Sequence, residues 1–385
     1  MDFDFLSPVD DVLIAHNNLL PRQSFGRNIA IHTTKSGMPE LTGVKLAIVG
    51  VSEYRNAGIQ FKKPADLTAI RYQLYRLFNG NWNFKIADLG NISNGAEVED
   101  SYFAVKEMVT ALLKKKVTPI IIGGSQDITY AMYRAYDSME QLVNIVSVDN
   151  RFDFGNSEEL ISSQSYMSRI IIEKPNRLYN FCNIGFQTFY NAQEEIDLMD
   201  NLFFEAHRLG EVVDDITVVE PSLRDADLVS LDMSVVKASD VANAEGHSPN
   251  GLSGMDMCAI ARYAGISDRV SSFGIFDIQQ SEQFASLVSQ MIWYFIEGVN
   301  YRFGEYPFGS KKNFIKYTVL VEDEALVFFK SPVSHRWWVE VPIISTLDNN
   351  LKRTALLPCT HQDYLDACNQ KIPERWWKAY RKTIN

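Results

Sequence analysis

Short runs of β-branched and apolar residues alternate along the chain with longer segments in which apolar residues recur every three or four positions. The run at 44–51, VKLAIVGV, is typical of a buried strand. In the segment 65–78, Leu67, Ile70 and Leu74 follow a helical spacing. The pattern therefore predicts a buried strand followed by an amphipathic helix.

The same alternation continues to about residue 301. We predict further strands at 84–89, 117–122, 143–148, 179–186, 228–231 and 270–278, and helices at 98–115, 255–264 and 280–301. Strands that alternate with helices form parallel βαβ units, so the predicted class is α/β, with a doubly wound, mostly parallel sheet flanked by helices. Ligands bind such sheets at the carboxyl ends of the strands.

Beyond residue 302 the pattern becomes hairpin-like. Strands are predicted at 317–321, 326–330 and 337–343, and a helix at 363–382. We divide the chain into an N-terminal arm (1–43), an α/β domain (44–305) and a C-terminal β-hairpin/helix extension (306–385) that packs on the core. The pairs Trp337-Trp338 and Trp376-Trp377 are either core residues of this extension or an exposed aromatic patch for a partner.

Composition narrows the class of protein. The chain has 385 residues, of which 46% are hydrophobic and 22% charged, as in ordinary globular proteins. Its net charge of −11 argues against a nucleic-acid partner, and the longest apolar runs are too short to span a membrane. The N-terminus lacks the features of a signal peptide, and the four cysteines show no CxxC spacing. We therefore expect a cytoplasmic protein with free thiols.

Three polar motifs follow predicted strands, so all three lie where ligands gather in a parallel sheet. They are Gly123-Gly124-Ser125-Gln126-Asp127, Val148-Asp149-Asn150-Arg151-Phe152-Asp153 and Ser230-Leu231-Asp232-Met233-Ser234.

In order and spacing these motifs resemble those of the ureohydrolase family, which includes arginase, agmatinase and formimidoylglutamase. The family pattern is Gly-Gly-Asp-His-Ser, Asp-Ala-His-x-Asp and Ser-x-Asp-x-Asp, in which two histidines and four aspartates hold two manganese ions. The resemblance covers about residues 44–305 and implies an arginase-like fold. The positions that match the six metal ligands are Gln126, Asp149, Arg151, Asp153, Asp232 and Ser234.

Three of these six positions depart from the family. Gln126 offers a neutral amide oxygen, Ser234 offers a hydroxyl, and the guanidinium of Arg151 is permanently charged and has no lone pair for a cation. We therefore predict a degenerate metal site without bound metal. We further predict that Arg151 stands in for the metals and contacts at least one of the three remaining aspartates.

Three residues are candidates for ligand binding. His247 and Asn250 lie in the segment 246–252, which resembles the family's glycine-rich loop near the substrate; the alternative is a simple turn. Asp277 matches the family's substrate-orienting glutamate and is the one weak catalytic candidate; the alternative is a salt-bridged strand end.

Three functions are compatible with this pattern. The leading prediction is a non-hydrolytic ureohydrolase-fold protein, a pseudoenzyme that binds a small amidine or guanidino-like ligand or a protein partner. The first alternative is an active amidine hydrolase, similar to formimidoylglutamase, with a rebuilt or single-metal manganese site. The second is a structural subunit that uses the C-terminal extension. A homo-oligomer is compatible with all three.

Overall fold

The computed structural model describes residues 3–57, 65–139, 141–155, 160–241, 247–306, 311–343 and 353–384. The strands in these ranges are β1 (Leu6–Ser7), β2 (Ala30–Ile31), β3 (Val44–Val51), β4 (Lys85–Ile92), β5 (Thr118–Ile122), β6 (Val143–Val148), β7 (Leu178–Phe186), β8 (Glu205–Arg208), β9 (Leu228–Asp232), β10 (Ser272–Phe276), β11 (Ile315–Val321), β12 (Glu324–Lys330), β13 (Trp337–Ile343) and β14 (Arg353–Cys359). The helices are α1 (Asp11–Leu19), α2 (Leu67–Arg76), α3 (Val98–Lys114), α4 (Ile128–Arg134), α5 (Tyr166–Ile172), α6 (Gln193–Asn201), α7 (Leu209–Asp214), α8 (Glu220–Asp225), α9 (Gly254–Ile266), α10 (Glu282–Asn300), α11 (His361–Cys368) and α12 (Glu374–Ile384).

The described strands β1 to β10 form one sheet in the order β1-β4-β3-β5-β10-β9-β6-β7-β8, with β2 also paired to β4. Only β1 runs antiparallel to its neighbour within this described sheet. Helices cover both faces, which confirms the predicted α/β class and the doubly wound, mostly parallel sheet.

Each central strand is buried on both faces, which explains why it is apolar throughout rather than alternating. In β3, Ile48 packs with residues of α2, α9 and α10 on one face, such as Leu74 and Phe295. Its neighbour Val49 packs on the other face, with residues of α3 and α4 such as Val105.

Helices α9 and α10 pack closely because two glycines meet at their contact. A Cβ atom on Gly265 would lie 2.2 Å from the Phe295 carbonyl oxygen, and one on Gly298 would lie 2.4 Å from that of Arg262. The apolar face of α10 is therefore covered within the fold. Among the described residues, no helix combines the length and apolar character that crossing a membrane requires.

Short elements depart most from the sequence prediction. The N-terminal segment pairs with the main sheet through β1 and β2, each only two residues long. Strand β14 was not predicted, because Pro358 interrupts its pattern; proline is tolerated there since β14 is the edge strand of its sheet. The predicted helix at 363–382 is two helices, α11 and α12, and Gln370 between them has a positive φ of 63°.

The C-terminal extension forms an antiparallel sheet in the order β11-β12-β13-β14, covered by α11 and α12. Trp337 and Trp338 project to opposite faces: Trp337 stacks on Tyr364 at 4.9 Å, and Trp338 covers the guanidinium of Arg224 at 4.6 Å. The core interpretation therefore holds for this pair. In the second pair Trp376 is buried, while Trp377 is 44% exposed.

Candidate functional site

Four neighbouring parallel strands bring the candidate residues together. In the sheet order β5-β10-β9-β6, the carboxyl ends carry Gln126, Asp277, Asp232 and Asp149, respectively; Asp232 is the last residue of β9 and the others follow their strands. Because these strands are parallel, their carboxyl ends meet at one edge of the sheet. The three sequence motifs therefore converge, although they are spread over more than a hundred residues.

The turn after β5 depends on two glycines with positive φ angles, 85° at Gly123 and 80° at Gly124. A Cβ atom would lie 2.8 Å from the Val51 carbonyl oxygen at Gly123 and 2.9 Å from Ile128 Cγ1 at Gly124. Glycine is thus required by backbone conformation and by close approach. The turn places Gln126 fully inside the protein.

Local hydrogen bonds fix one polar atom of each inward-facing side chain. Asp149 Oδ1 accepts from the backbone N–H of Arg151 at 2.9 Å, and Asp232 Oδ1 accepts from that of Ser234 at 2.6 Å. The Gln126 amide donates from Nε2 to Ser147 Oγ at 3.0 Å. The three side chains are therefore oriented by their own turns or by a neighbouring strand.

Other oxygen atoms of the same group are buried without a partner. Among the described residues, no hydrogen-bond donor reaches Gln126 Oε1, Asp149 Oδ2, Asp153 Oδ2 or Asp277 Oδ1. A buried acceptor left without a partner costs roughly 1–3 kcal/mol, and more when it is charged. Such a group of oxygens requires either bound protons or a cation.

The pKa values of these carboxyl groups indicate the same requirement for bound protons or a cation. Burial raises the pKa of Asp149, and burial together with the neighbouring carboxylates raises the pKa values of Asp153, Asp232 and Asp277 well above their usual range. For Asp153 the largest contribution after burial is the charge of Asp149. Without a cation, the protein therefore disfavours ionisation of these carboxyl groups.

A cavity of about 60 Å³ opens beside this group. Its described lining residues are Asn150, Arg151, Asp153, Ser163, Gln164, Tyr190, Asp232, Ser234, Ser248 and Asp277. The cavity is small and polar, so it has room for the head group of a ligand rather than for a large molecule.

Of the three predicted ligand-binding residues, Asp277 lines this cavity, whereas His247 and Asn250 are not among its described lining residues. The imidazole of His247 is buried, with Nδ1 3.2 Å from the Val236 carbonyl oxygen and the ring 5.2 Å from that of Phe284. Asn250 is exposed, and its carbonyl oxygen accepts a hydrogen bond from Gln187. Gly246 lies outside the described residues. The ligand-binding role of all three residues remains a prediction.

Arg151 does not adopt the predicted arrangement. Its guanidinium donates from Nη1 to the Tyr190 carbonyl oxygen at 2.8 Å and lies over the Tyr190 ring, 4.7 Å from its centroid. Among the described contacts, only the backbone N–H of Arg151 reaches Asp149. The prediction that its side chain pairs with a carboxylate is therefore wrong, because a nearby carbonyl and ring hold the guanidinium.

Sequence reasoning missed the framework that holds the second motif. Asn191 Oδ1 accepts from the backbone N–H of Phe152 at 2.8 Å, and its Nδ2 donates to the Asn150 carbonyl oxygen at 3.1 Å. Asn183 Nδ2 donates to the Arg151 carbonyl oxygen at 2.6 Å. Asn183 lies within the buried strand β7 and Asn191 in a loop, and neither position belongs to a polar pattern that would have identified it.

Asp127, the neighbour of Gln126 in the chain, is held by a separate contact. Its Oδ2 accepts a hydrogen bond from the Tyr102 hydroxyl, and burial raises the pKa of Asp127 to about 6. The carboxylate of Asp127 is thus engaged by Tyr102 and does not take the place of the Gln126 side chain.

The donor chemistry fits a hard divalent cation. Carboxylate and amide oxygens are the ligands that Mn²⁺, Mg²⁺ and Ca²⁺ prefer, and the unpartnered oxygens of Gln126, Asp149 and Asp153 lie beside Asp232. Arg151 and Ser234 contribute no charged ligand. The residues present therefore offer ligands for one cation rather than two. Among the described residues these carboxylates are not grouped within 4.8 Å of one another, so they would have to move closer together to hold it.

Comparisons with known proteins agree with the motif pattern. Residues 49–285 match the model of the arginase family. A formimidoylglutamase from Geobacillus sp. (strain WCH70) is 26% identical over 213 residues, which are 50% of this chain and 62% of that protein. The chain thus spans about three fifths of the length of this curated relative.

Solved structures show the same fold. The structure of Trypanosoma cruzi formiminoglutamase with manganese gives a TM-score of 0.60 at 19% identity, covering 68% of this chain and 96% of that one. The structure of formimidoylglutamase from Bacillus subtilis gives a TM-score of 0.61 at 16% identity, covering 73% of this chain and 93% of that one. The family model covers most of the sheet that carries the three motifs, and this chain belongs to the arginase family, the ureohydrolases.

Proposed function

We propose that this protein hydrolyses a C–N bond of a linear amidine, in the manner of a formimidoylglutamase, with the help of one divalent cation. The curated relative named above supports the substrate class, since Geobacillus formimidoylglutamase is named for such a reaction. It favours the hydrolytic alternative over the non-hydrolytic function that the altered motifs predicted.

One observation carries the proposal. Three buried side chains, those of Gln126, Asp149 and Asp153, each keep an oxygen without a partner among the described residues, next to Asp232. These four side chains would hold the cation. A divalent cation bound there supplies Lewis acidity and lowers the pKa of water, which makes a nucleophile available near neutral pH.

Arg151 does not compete for that position, because its guanidinium is held by Tyr190. It does account for the limit of one cation, since a guanidinium has no lone pair and repels positive charge. The proposed site is therefore a single-metal version of the family's centre, built from oxygen ligands alone.

Asp277 would bind the substrate. Its carboxyl group lines the cavity and its Oδ1 has no partner among the described residues. Amidinium groups present parallel N–H donors, which match a carboxylate in fork geometry. In the reaction, the oxygen of water bonds to the amidinium carbon and the C–N bond breaks. Both protons of the water pass to the departing nitrogen, which leaves as an ammonium group, and the carbon becomes that of an amide. Asp277 holds the carbon in place for this attack.

The test is a turnover assay of the full chain with and without Mn²⁺. The substrates are N-formimidoylglutamate as an amidine and agmatine and arginine as guanidines. We expect Mn²⁺-dependent hydrolysis of the amidine, and its loss in Asp149→Asn. Asp197→Asn is the matched control, because Asp197 is an exposed residue of α6, and it should retain activity within about twofold.

Turnover that survives in Asp149→Asn, or that needs no divalent cation, would contradict the proposed chemistry. Saturable binding of the amidine without any hydrolysis would instead support the non-hydrolytic function.

A further inference from the structure

A second group of metal-ligand residues lies at the edge of the sheet, away from the candidate site. The thiol of Cys182, a carboxylate oxygen of Glu205 and an imidazole nitrogen of His207 all lie within 4.8 Å of one another. These residues belong to β7 and β8, whereas the candidate site lies beyond the ends of β5, β10, β9 and β6. The arginase-family motifs do not include them.

Strand geometry places the three side chains together. Cys182 is the direct neighbour of Glu205 in the parallel pairing of β7 with β8, and Ile184 is the neighbour of His207. Glu205 and His207 are two positions apart, so their side chains project from the same face of β8. The backbone therefore fixes a sulfur, an oxygen and a nitrogen donor on one side of the edge strand.

Outer contacts orient two of these donors. Glu211 Oε1 lies 3.4 Å from Nδ1 of His207, which leaves Nε2 directed towards Ser222 and Glu205. A carboxylate behind a ligating histidine is a common feature of zinc sites, because it fixes the ring and its tautomer. Glu205 Oε2 contacts Ser222 and Arg375. Among the described residues, Glu205 Oε1 accepts a hydrogen bond only from Asn180, at 2.7 Å, so one lone pair of Oε1 remains for a metal ion.

The group borders a cavity of about 510 Å³ between β8 and the C-terminal extension, and both Glu205 and His207 line it. Cys182 lies behind them and is buried. A metal held by these residues would thus have three protein ligands and a side open to the cavity, the arrangement of zinc sites that keep an exchangeable position.

Charge does not prevent binding. Arg375 approaches Glu205 at 2.9 Å, and Lys382 donates a hydrogen bond to Asn180. Burial lowers the pKa of His207, but its hydrogen bonds to Cys182 and Glu211 raise it overall to about 10, so the imidazole as well as the thiol gives up a proton when a metal binds. The Cys182 thiolate and the Glu205 carboxylate then match the two charges of Zn²⁺. Asp225, 3.7 Å from Arg375, balances one of the neighbouring cations.

We propose that Cys182, Glu205 and His207 form a second metal site, selective for Zn²⁺ and distinct from the oxygen-lined candidate site. Sulfur and nitrogen donors favour zinc, whereas the four oxygen-donor side chains of the candidate site favour Mn²⁺ or Mg²⁺.

Cobalt substitution tests this proposal, because Co²⁺ bound to a thiolate gives a charge-transfer absorption in the near ultraviolet that oxygen ligands do not give. Metal-free full-length protein should develop this band with one equivalent of Co²⁺, and Zn²⁺ should displace it. The band should disappear in Cys182→Ser. It should persist in Cys368→Ser, which removes the exposed cysteine, and in Asp149→Asn, which affects only the candidate site.

Absence of the band in the wild-type protein would overturn the proposal without the need for any variant. Persistence of the band in Cys182→Ser would equally overturn it. The variant His207→Gln keeps a neutral polar group but loses the imidazole ligand. Loss of an outer-shell partner alone lowers metal affinity roughly 10–100-fold, so the Co²⁺ affinity of this variant should fall by at least that factor. Unchanged Co²⁺ affinity would show that His207 is not a ligand of the site. Because the band reports only thiolate ligation, the result is independent of amidine hydrolysis.

Discussion

Arg151 is held by its neighbour Tyr190 rather than by buried carboxylates. Its side chain makes one hydrogen bond to a carbonyl oxygen and one cation–π contact. Arg151→Met should therefore lower the free energy of unfolding by about 1–2.5 kcal/mol. This is the sum of roughly 0.5–1.5 kcal/mol for a hydrogen bond at a half-buried site and roughly 0.5–1 kcal/mol for a partly exposed cation–π contact. Chemical denaturation of the metal-free protein measures this value.

The matched control is Arg71→Met. Arg71 forms a buried ion pair with Asp88 at 2.8 Å, so its loss leaves a buried charge unpaired and should cost about 3–5 kcal/mol. An equally large loss in Arg151→Met would show that Arg151 does pair with the carboxylates in solution.

Asp227 gives the protein a pH dependence at the end of the sheet opposite the candidate site. Burial, partly offset by Arg269, raises the pKa of Asp227 to about 6 from the usual value of 3.8 for an aspartate. The folded state then binds a proton more tightly than the unfolded state, so this contribution to stability is full below pH 3.8 and is lost as the pH rises to about 6. The difference between the two pKa values corresponds to roughly 3 kcal/mol of unfolding free energy.

Asp227→Asn removes this contribution, since asparagine does not titrate and its oxygen can still accept from the backbone N–H of Asn144. Between pH 4 and pH 7, the wild-type protein should lose about 3 kcal/mol more unfolding free energy than the variant. Asp215→Asn, at an exposed cap, should behave as the wild type does. Parallel pH profiles for Asp227→Asn and the wild type would contradict the assignment.

At the scale of elements, the long buried strands were the most predictable. The predicted bounds of β3 and β6 agree with the structure, because a strand buried on both faces must be apolar throughout. The placement of the three motifs followed from the strands, since parallel strands share one carboxyl edge.

Other features depend on tertiary contacts that no local pattern records. The two-residue strands β1 and β2 exist only because β4 offers a free edge. The orientation of Arg151 depends on Tyr190, which lies 39 residues away in the chain.

The helix α12 is attached to the core by Arg375. Its guanidinium pairs with Glu205 at 2.9 Å and with Asp225 at 3.7 Å, and all three residues are largely buried. Arg375→Met would leave two buried carboxylates without this partner and should lower the free energy of unfolding by about 3–5 kcal/mol. Urea denaturation followed by tryptophan fluorescence measures the loss.

Lys378→Met on the same helix is the control. Its partner Glu374 is 79% exposed at the side chain, so the cost should stay below about 1 kcal/mol. Equal stability of the two variants would mean that α12 does not depend on this buried ion pair, and that the extension is less firmly packed on the core than predicted.

For the whole molecule, the ten-stranded sheet brings four buried carboxyl groups and one amide to a single edge. The raised pKa values of Asp149, Asp153, Asp232 and Asp277 show that this arrangement is unfavourable without positive charge. A cation that binds only the folded state would stabilise the protein by about 2.7 kcal/mol at a free concentration of 100 times its Kd. Family membership and the donor set therefore lead to one claim, that the oxygen-lined site binds a single hard divalent cation.

Calorimetric titration of the metal-free protein with Mn²⁺ tests this claim most directly. The account predicts one Mn²⁺ per chain, no binding at the site in Asp149→Asn, and unchanged stoichiometry in Cys182→Ser. Binding of two Mn²⁺ ions per chain, or of none, would contradict it.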